Sequence, residues 1–364
     1  MKKNIIFHFP SPIYENIHSG SQIRPICMIN AFKNIGYKVD VVIGYGKERK
    51  EKINKIKENI KNGIKYDFLY SENSTLPTLL TEKYHIPLYP FLDFNFFKFC
   101  KKNGIKIGLF YRDIHWRFEH YKKNIIFLKQ WLATIFYLYD LFMYSKLIDI
   151  LYLPHNLMYK YIPYKMSCKI ESLPPGNNRK NIIIKKTYNE FLTLFYVGGI
   201  GDLYDLEILF EVVNRNEYLH LIVCFRKNDW EKTKNKYKKY LNNRIQIIHK
   251  WGDDLENYYY QADLLILFVK PIIYWTFAMP VKLFEYLSYC IPIIGTKGTA
   301  VGDFIEDNNI GWNIEYSKEN LTNLLEYIKQ NRIVLEEKKI NMKNILDKHT
   351  WEQRAKKVSH DLLN

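Results

Sequence analysis

Met279-Pro280-Val281-Lys282-Leu283-Phe284-Glu285-Tyr286-Leu287-Ser288-Tyr289-Cys290-Ile291-Pro292-Ile293-Ile294-Gly295-Thr296 reads as one helix followed by one buried strand. Pro280 suits a first helical position, where a missing N–H costs nothing. Leu283, Phe284 and Leu287 supply the buried side, while Lys282 and Glu285, three apart, share one face. The apolar run 291–295 is the strand, and Thr296-Lys297-Gly298-Thr299-Ala300 forms a small, polar, flexible edge after it.

The same rhythm runs outward from this block in both directions. Upstream lie strands at 191–197, 220–225, 245–249 and 264–268, alternating with helical patterns at 203–214, 230–241 and 254–261. Downstream come a strand at 311–314, a helix at 318–330 and a strandless helical region from 333 to 363. Thr350 restarts a helix there, with Gln353 three residues on as a capping box. Pro174-Pro175-Gly176-Asn177-Asn178 and the polar stretch 179–190 form a linker. Before it stands a second alternating series, with strands at 4–9, 38–43, 66–70, 105–111, 150–153 and 169–173 and helices at 22–35, 94–102 and 125–147. Alternation of this kind builds parallel sheets covered on both faces. The chain is therefore expected to be α/β, with two doubly wound Rossmann-like domains facing a central cleft. One spans 1–175 and is rejoined by 350–364; the other spans 176–349. Ligands of such sheets sit outside the carboxyl ends of the strands.

The 364 residues suffice for two cores, and 47% hydrophobic with 25% charged residues is ordinary globular usage. A net charge of +16 favours anionic partners: nucleic acid, phospholipid headgroups or phosphorylated ligands. The 30 Tyr and 22 Phe, with abundant Lys, Asn and Ile, fit an AT-rich coding bias and carry little functional weight. Cys27, Cys100, Cys168, Cys224 and Cys290 are odd in number and lack a C-x-x-C pair, so they read as small buried hydrophobes in a reducing cytoplasm. Residues 5–9 are too short for a secretory segment. Lys129, Asp140, Lys146 and Asp149 interrupt the apolar stretch 125–153, which rules out a membrane span. The aromatic helix within it is expected to be buried between sheet and solvent; the alternative is a helix lying on a membrane surface.

Four places hold candidate chemistry. The loop 10–21 after the first strand ends at a helix start, where Gly20 permits close approach and Arg24 adds charge. Tyr111-Arg112-Asp113-Ile114-His115-Trp116-Arg117 follows an apolar strand, so His115 and Asp113 stand at a carboxyl edge, suited to proton transfer or to binding a sugar hydroxyl. In Tyr196-Val197-Gly198-Gly199-Ile200-Gly201-Asp202, Gly198, Gly199 and Gly201 open a loop whose amides suit a diphosphate. Lys282 and Glu285 complete the set: a cation for phosphate and a carboxylate for ribose hydroxyls. As plain structure, the four are an ordinary turn, a salt-bridged loop, a tight turn and a surface ion pair.

The block 280–296 resembles the donor-site signature of GT-B glycosyltransferases, close to glycosyltransferase family 4 (group 1). The order of the other segments is similar too: Ser19-Gly20, Gly36-Tyr37-Lys38-Val39-Asp40-Val41-Val42, Arg112-Asp113-Ile114-His115, Leu173-Pro174-Pro175-Gly176-Asn177 and Phe195-Tyr196-Val197-Gly198-Gly199. The resemblance implies a hexosyltransferase, retaining, that moves a sugar from a nucleotide-sugar donor to a glycan or polyprenyl-phosphate-linked acceptor in cell-surface polysaccharide synthesis. It would act in the cytoplasm or at the inner face of the plasma membrane, on an anionic surface, without metal or cofactor. Glu285, Lys282, Gly198, Gly199, Gly201 and Thr299 would serve the donor, His115 and Asp113 catalysis, and Gly20, Arg24 and Arg112 the acceptor side. Two features depart from the family. Asp202-Leu203-Tyr204-Asp205 stands where an Arg and a Lys are common, leaving Arg226 and Lys227 as replacements. Phe277 stands where a second Glu is common. A nucleotide-sugar isomerase of the same fold and a non-catalytic glycan- or nucleic-acid-binding protein are the alternatives; no zinc-finger spacing or RNA-recognition motif supports nucleic acid.

Overall fold

A computed structural model describes residues 3–14, 20–119, 127–180 and 190–364. The expected loop at 10–21 and linker at 179–190 therefore fall partly outside the described residues. The chain divides into two compact units, Met1–Pro175 with Trp351–Asn364, and Gly176–Thr350.

The first unit runs β1 (Asn4–Phe9), α1 (Gly20–Asn34), β2 (Lys38–Ile43), α2 (Gly46–Lys61), β3 (Phe68–Glu72), α3 (Leu92–Lys102), β4 (Lys106–Phe110), α4 (Phe127–Leu147), β5 (Ile150–Leu153) and β6 (Lys169–Ser172). The second continues with β7 (Leu192–Val197), α5 (Glu207–Arg215), β8 (Leu219–Cys224), α6 (Lys227–Tyr237), β9 (Ile245–Ile248), α7 (Glu256–Gln261), β10 (Leu264–Leu267), α8 (Val281–Tyr289), β11 (Ile293–Thr296), α9 (Ala300–Asp307), β12 (Gly311–Ile314), α10 (Lys318–Gln330) and α11 (Ile333–Leu346). The last helix, α12 (Trp351–Leu363), belongs to the first unit again.

Each unit holds one six-stranded sheet, ordered β2-β1-β3-β4-β5-β6 in the first and β12-β11-β10-β7-β8-β9 in the second. All pairings are parallel. The strands are nearly continuous apolar runs because both sheet faces are covered. In the second unit Leu194, Tyr196, Leu221 and Val223 enter one core, and Phe195, Val197, Ile222 and Cys224 the other. Strand order reverses direction between β1 and β3 and between β7 and β10. Ligands of open α/β sheets bind outside the carboxyl ends of the strands at such a reversal.

Three expectations need correction. The edge 296–300 leads directly into a helix: Thr299 caps α9, which the periodicity did not reveal. Helix α5 begins at Glu207 rather than 203, because the Asp205 carboxylate accepts the Glu207 amide at 3.0 Å and ends the preceding turn there. Helix α4 is buried on one side only; its other side carries exposed aromatic and aliphatic residues.

Candidate functional site

In the second unit, the glycine loop and helix α8 meet the end of β7. The Val197 amide donates to the Tyr286 hydroxyl at 2.8 Å, which ties α8 to that strand end. Gly198 N–H donates to the Cys224 carbonyl at 3.1 Å, and the Tyr196 hydroxyl to the Gly199 carbonyl at 2.7 Å. A methyl on Gly199 would stand 2.8 Å from the Tyr204 ring, and Gly201 has φ +132. Tyr204 meets the Trp275 ring edge-on at 5.1 Å, joining the glycine loop to the segment after β10. The loops on both sides of the strand-order reversal are thus packed together through aromatic side chains.

Glu285 and Lys282 lie on the accessible side of α8. Lys282 Nζ is 2.7 Å from Glu285 Oε2, and the Tyr259 hydroxyl donates to Glu285 Oε1 at 2.8 Å. Both members of the pair are about 30% exposed, at 30% and 29%, so the carboxylate is oriented yet open to a ligand. Burial, and then the Glu285 charge, hold the Tyr259 phenol well above its ordinary pKa, so it remains a donor. Arg226 and Lys227 follow β8 and are exposed at the start of α6. Thr299 is not available as a ligand group. Its buried hydroxyl donates to the Thr296 carbonyl at 2.6 Å and accepts from the Gly302 amide at 2.9 Å. Phe277 is buried and meets Tyr274 at 5.4 Å, so an aromatic ring fills the place of a carboxylate.

The first unit has two polar clusters at the carboxyl edge of its sheet. Asp113 Oδ1 accepts the His115 amide at 3.0 Å, and Asp113 Oδ2 lies 3.5 Å from His115 Nδ1. The imidazole stands edge-on to Tyr137 at 6.2 Å, and Tyr137 stacks on Trp116 at 4.8 Å. His115 is therefore oriented by a carboxylate and a ring wall while staying about one-fifth exposed (21%). In the second cluster Glu72, fully buried at the end of β3, receives Arg24 Nε at 3.1 Å, Arg112 Nη2 at 3.2 Å and the Tyr70 hydroxyl at 3.0 Å. Arg24 is sunk beneath the surface, its guanidinium 3.5 Å from the centre of the Phe110 ring. It is a supporting residue rather than an open anion ligand. Gly20 opens α1.

Sequence reasoning missed Tyr259, Tyr286, Tyr204 and Trp275, which orient Glu285 and brace the glycine loop. The only signal for the three tyrosines was the tyrosine count, which says nothing of Trp275. It also missed His8, buried between Ser71 at 2.8 Å and Asp93 at 2.9 Å, with Arg49 on the same carboxylate. Burial lowers the His8 pKa. Among the described residues no three His, Cys, Asp or Glu side chains gather to hold a metal ion.

Residues 177–346 match the family described as Glycosyl transferases group 1. The matched stretch contains the glycine loop, Lys282 and Glu285. The whole chain has the GT-B fold of solved glycosyltransferases. It is similar to sucrose-phosphate synthase from Thermosynechococcus elongatus, with TM-score 0.66 and 12% identity over 98% of each chain. It is similar to a glycosyltransferase from Rickettsia africae, with TM-score 0.66 and 14% identity over 100% of each. Anabaena HepE, solved in complex with UDP-glucose, is similar with TM-score 0.64 and 10% identity over 99% of each. No curated protein matches the sequence.

Proposed function

We propose that the protein is a glycosyltransferase that moves a hexosyl unit from a nucleotide-sugar donor, held by the second unit, to a glycan or polyprenyl-phosphate-linked acceptor met by the first. The observation that carries this reading is the Lys282–Glu285 pair, oriented by Tyr259 and tied through Tyr286 to the glycine-loop strand, inside the stretch that matches the family. Glu285 accepts the ribose hydroxyls. The diphosphate draws Lys282 away from Glu285 and meets the loop amides after Gly198, whose own N–H is already used by Cys224. Arg226 and Lys227 add charge from the start of α6. These groups stabilise the negative charge that grows on the leaving diphosphate, which needs no metal or cofactor.

The reaction is retaining: the acceptor hydroxyl gives its proton to an oxygen of the leaving phosphate on the same face of the sugar. His115, held by Asp113, binds the acceptor, with Arg112 beside it. The product is part of a cell-surface polysaccharide made on the cytoplasmic side.

A thermal-shift screen against UDP, GDP, CMP and dTDP and their sugars tests the donor site. UDP comes first, because HepE was solved with UDP-glucose. The expected result is a raised Tm for one nucleotide family; at a hundredfold excess over Kd the gain is ~2.7 kcal/mol. Glu285→Ala abolishes that shift. If no nucleotide moves the Tm of the unaltered chain, the transferase reading fails.

A further inference from the structure

At the amino end of the second unit's sheet, away from the glycine loop, the apolar pattern of one face stops short. Phe195 and Ile222 belong to the core on that face. One step toward the amino ends the register sets Thr193 beside His220, and Leu221 beside Ile245, which makes Arg244 the neighbour of His220. Gln246 stands beside Ile222. Polar residues thus occupy a row that a fully covered parallel sheet would fill with apolar ones. Helix α7 packs on this face, but its six residues span only about 9 Å and end at Gln261. Beyond it lies a cavity of about 320 Å³, lined by Thr193, His220, Asn243, Arg244, Gln246 and Tyr260 among others. That volume lies within the range of roughly 300–1,000 Å³ that takes small molecules.

The lining groups are held in place and keep hydrogen-bonding capacity. Arg244 Nη2 donates to the Asn214 carbonyl at 2.9 Å and to the Val213 carbonyl at 3.5 Å, in the last turn of α5. Its Nε is buried and has no hydrogen-bond partner among the described residues. His220 stacks on Phe191 at 4.3 Å, which fixes the plane of the imidazole. Burial, and then the Arg244 charge, lowers the His220 pKa, so near neutral pH one ring nitrogen donates and the other accepts. Asn243 and Gln246 are exposed amides, each offering donors and an acceptor. The Tyr260 hydroxyl donates to Glu256 at 3.1 Å, which anchors that ring at the cavity wall.

Charge decides against an anion here. The one positive charge of Arg244 meets the carboxyl-terminal turns of α5 and α7, each carrying up to about half a negative charge, so little net charge is left. An apolar ligand would leave the polar row unsatisfied. A neutral molecule dense in hydroxyls fits, because hydroxyls both donate and accept and so match amides, a neutral imidazole and a guanidinium alike. A sugar ring has that chemistry, and its C–H face suits the Tyr260 ring. We infer that the amino edge of the second unit's sheet carries a separate saccharide site for a neutral sugar residue, with Arg244, His220 and Gln246 as its polar ligands. Strand β7, with six residues, puts about 20 Å between this edge and the glycine loop. The sugar bound here is therefore not one reacting beside Glu285; it is a free sugar or a distant residue of a glycan chain.

Saturation-transfer-difference NMR of the full chain tests this whether or not the chain transfers a sugar. The probes are the methyl glycosides of glucose, galactose, mannose and N-acetylglucosamine, with glucuronate as the anionic control and UDP in excess throughout. At least one neutral glycoside is expected to bind, and glucuronate no better than it. Arg244→Gln weakens that binding at least about tenfold and Gln246→Ala about fivefold. Gln246 is exposed, so its loss does not unfold the chain. Glu285→Ala, which removes the nucleotide shift, leaves glycoside binding unchanged, so the two sites are read separately. A trisaccharide of the bound sugar that binds tighter than the glycoside marks a chain residue, and equal affinity marks a free sugar. No binding of any neutral glycoside, tighter binding of glucuronate, or binding that Gln246→Ala leaves unchanged overturns the inference.

Discussion

Glu72 lies fully buried between two guanidinium groups, from Arg24 and Arg112, with the Tyr70 hydroxyl as a third donor. Its negative charge is what permits two cations to stay out of water. Glu72→Ala should cost about 3–5 kcal/mol, because it strands buried charge. Tyr70→Phe should cost only about 1 kcal/mol; chemical denaturation of the two variants reads the difference. Asp140 is the opposite case, a buried acid that accepts the Thr78 amide: burial pushes its carboxyl up to about 7, against the pull of that amide. The folded state then keeps a proton that the unfolded chain releases near pH ~4. The stability this contributes is full below that pH and lost as pH rises through about 7. Asp140→Asn keeps an oxygen for Thr78 and cannot titrate. Its Tm should therefore fall less than that of the unaltered chain between about pH 5 and about pH 8. Of these residues the sequence marked Arg24 and Arg112 as charges at a sheet edge. Their shared partner stayed hidden, since Glu72 closes an apolar strand and contact with Arg24 spans 48 residues.

The elements of the donor side differ in how openly they declare themselves. Helix α8 has a clear apolar side and a proline start, and it forms where those signals place it. Helix α9 has eight residues and a glycine in its first turn, too little for local propensity to stabilise. It exists because Gly302 lets it lie against β11; a methyl there would stand 2.3 Å from the Thr296 carbonyl oxygen. The glycine loop after β7 was visible as a cluster, but only the fold separates its glycines by duty. Gly199 makes room for Tyr204, whereas Gly201 has open space around it and is needed for its backbone, at φ +132. Gly201→Ala should cost about 1–3 kcal/mol through strain alone. It should also weaken nucleotide binding in calorimetry, because the loop amides shift; unaltered affinity would remove the loop from the donor site.

At the scale of the molecule, α12 returns the end of the chain to the first unit. Trp351, Ala355, Val358 and Leu362 are buried along one side of it, Asn34 Nδ2 donates to Glu352 at 2.8 Å, and Leu362 covers Gly108 of β4. Burying its three large apolar side chains is worth about 1.5–3 kcal/mol each. Ending the chain after Thr350 should thus destabilise the first unit and leave the second able to bind nucleotide; limited proteolysis with a binding assay distinguishes the two. The period of apolar residues determined the two parallel sheets, the place of α8 and the pairing of Lys282 with Glu285, because those depend on spacing along one strand or one helix turn. The partners that orient Glu285, the shared carboxylate of Arg24 and Arg112, the closure of Thr299 and the outward apolar face of α4 were decided only by the tertiary structure. Each is a contact, or the lack of one, between residues far apart in the chain, and burial of a single helix face does not say what the opposite face will meet.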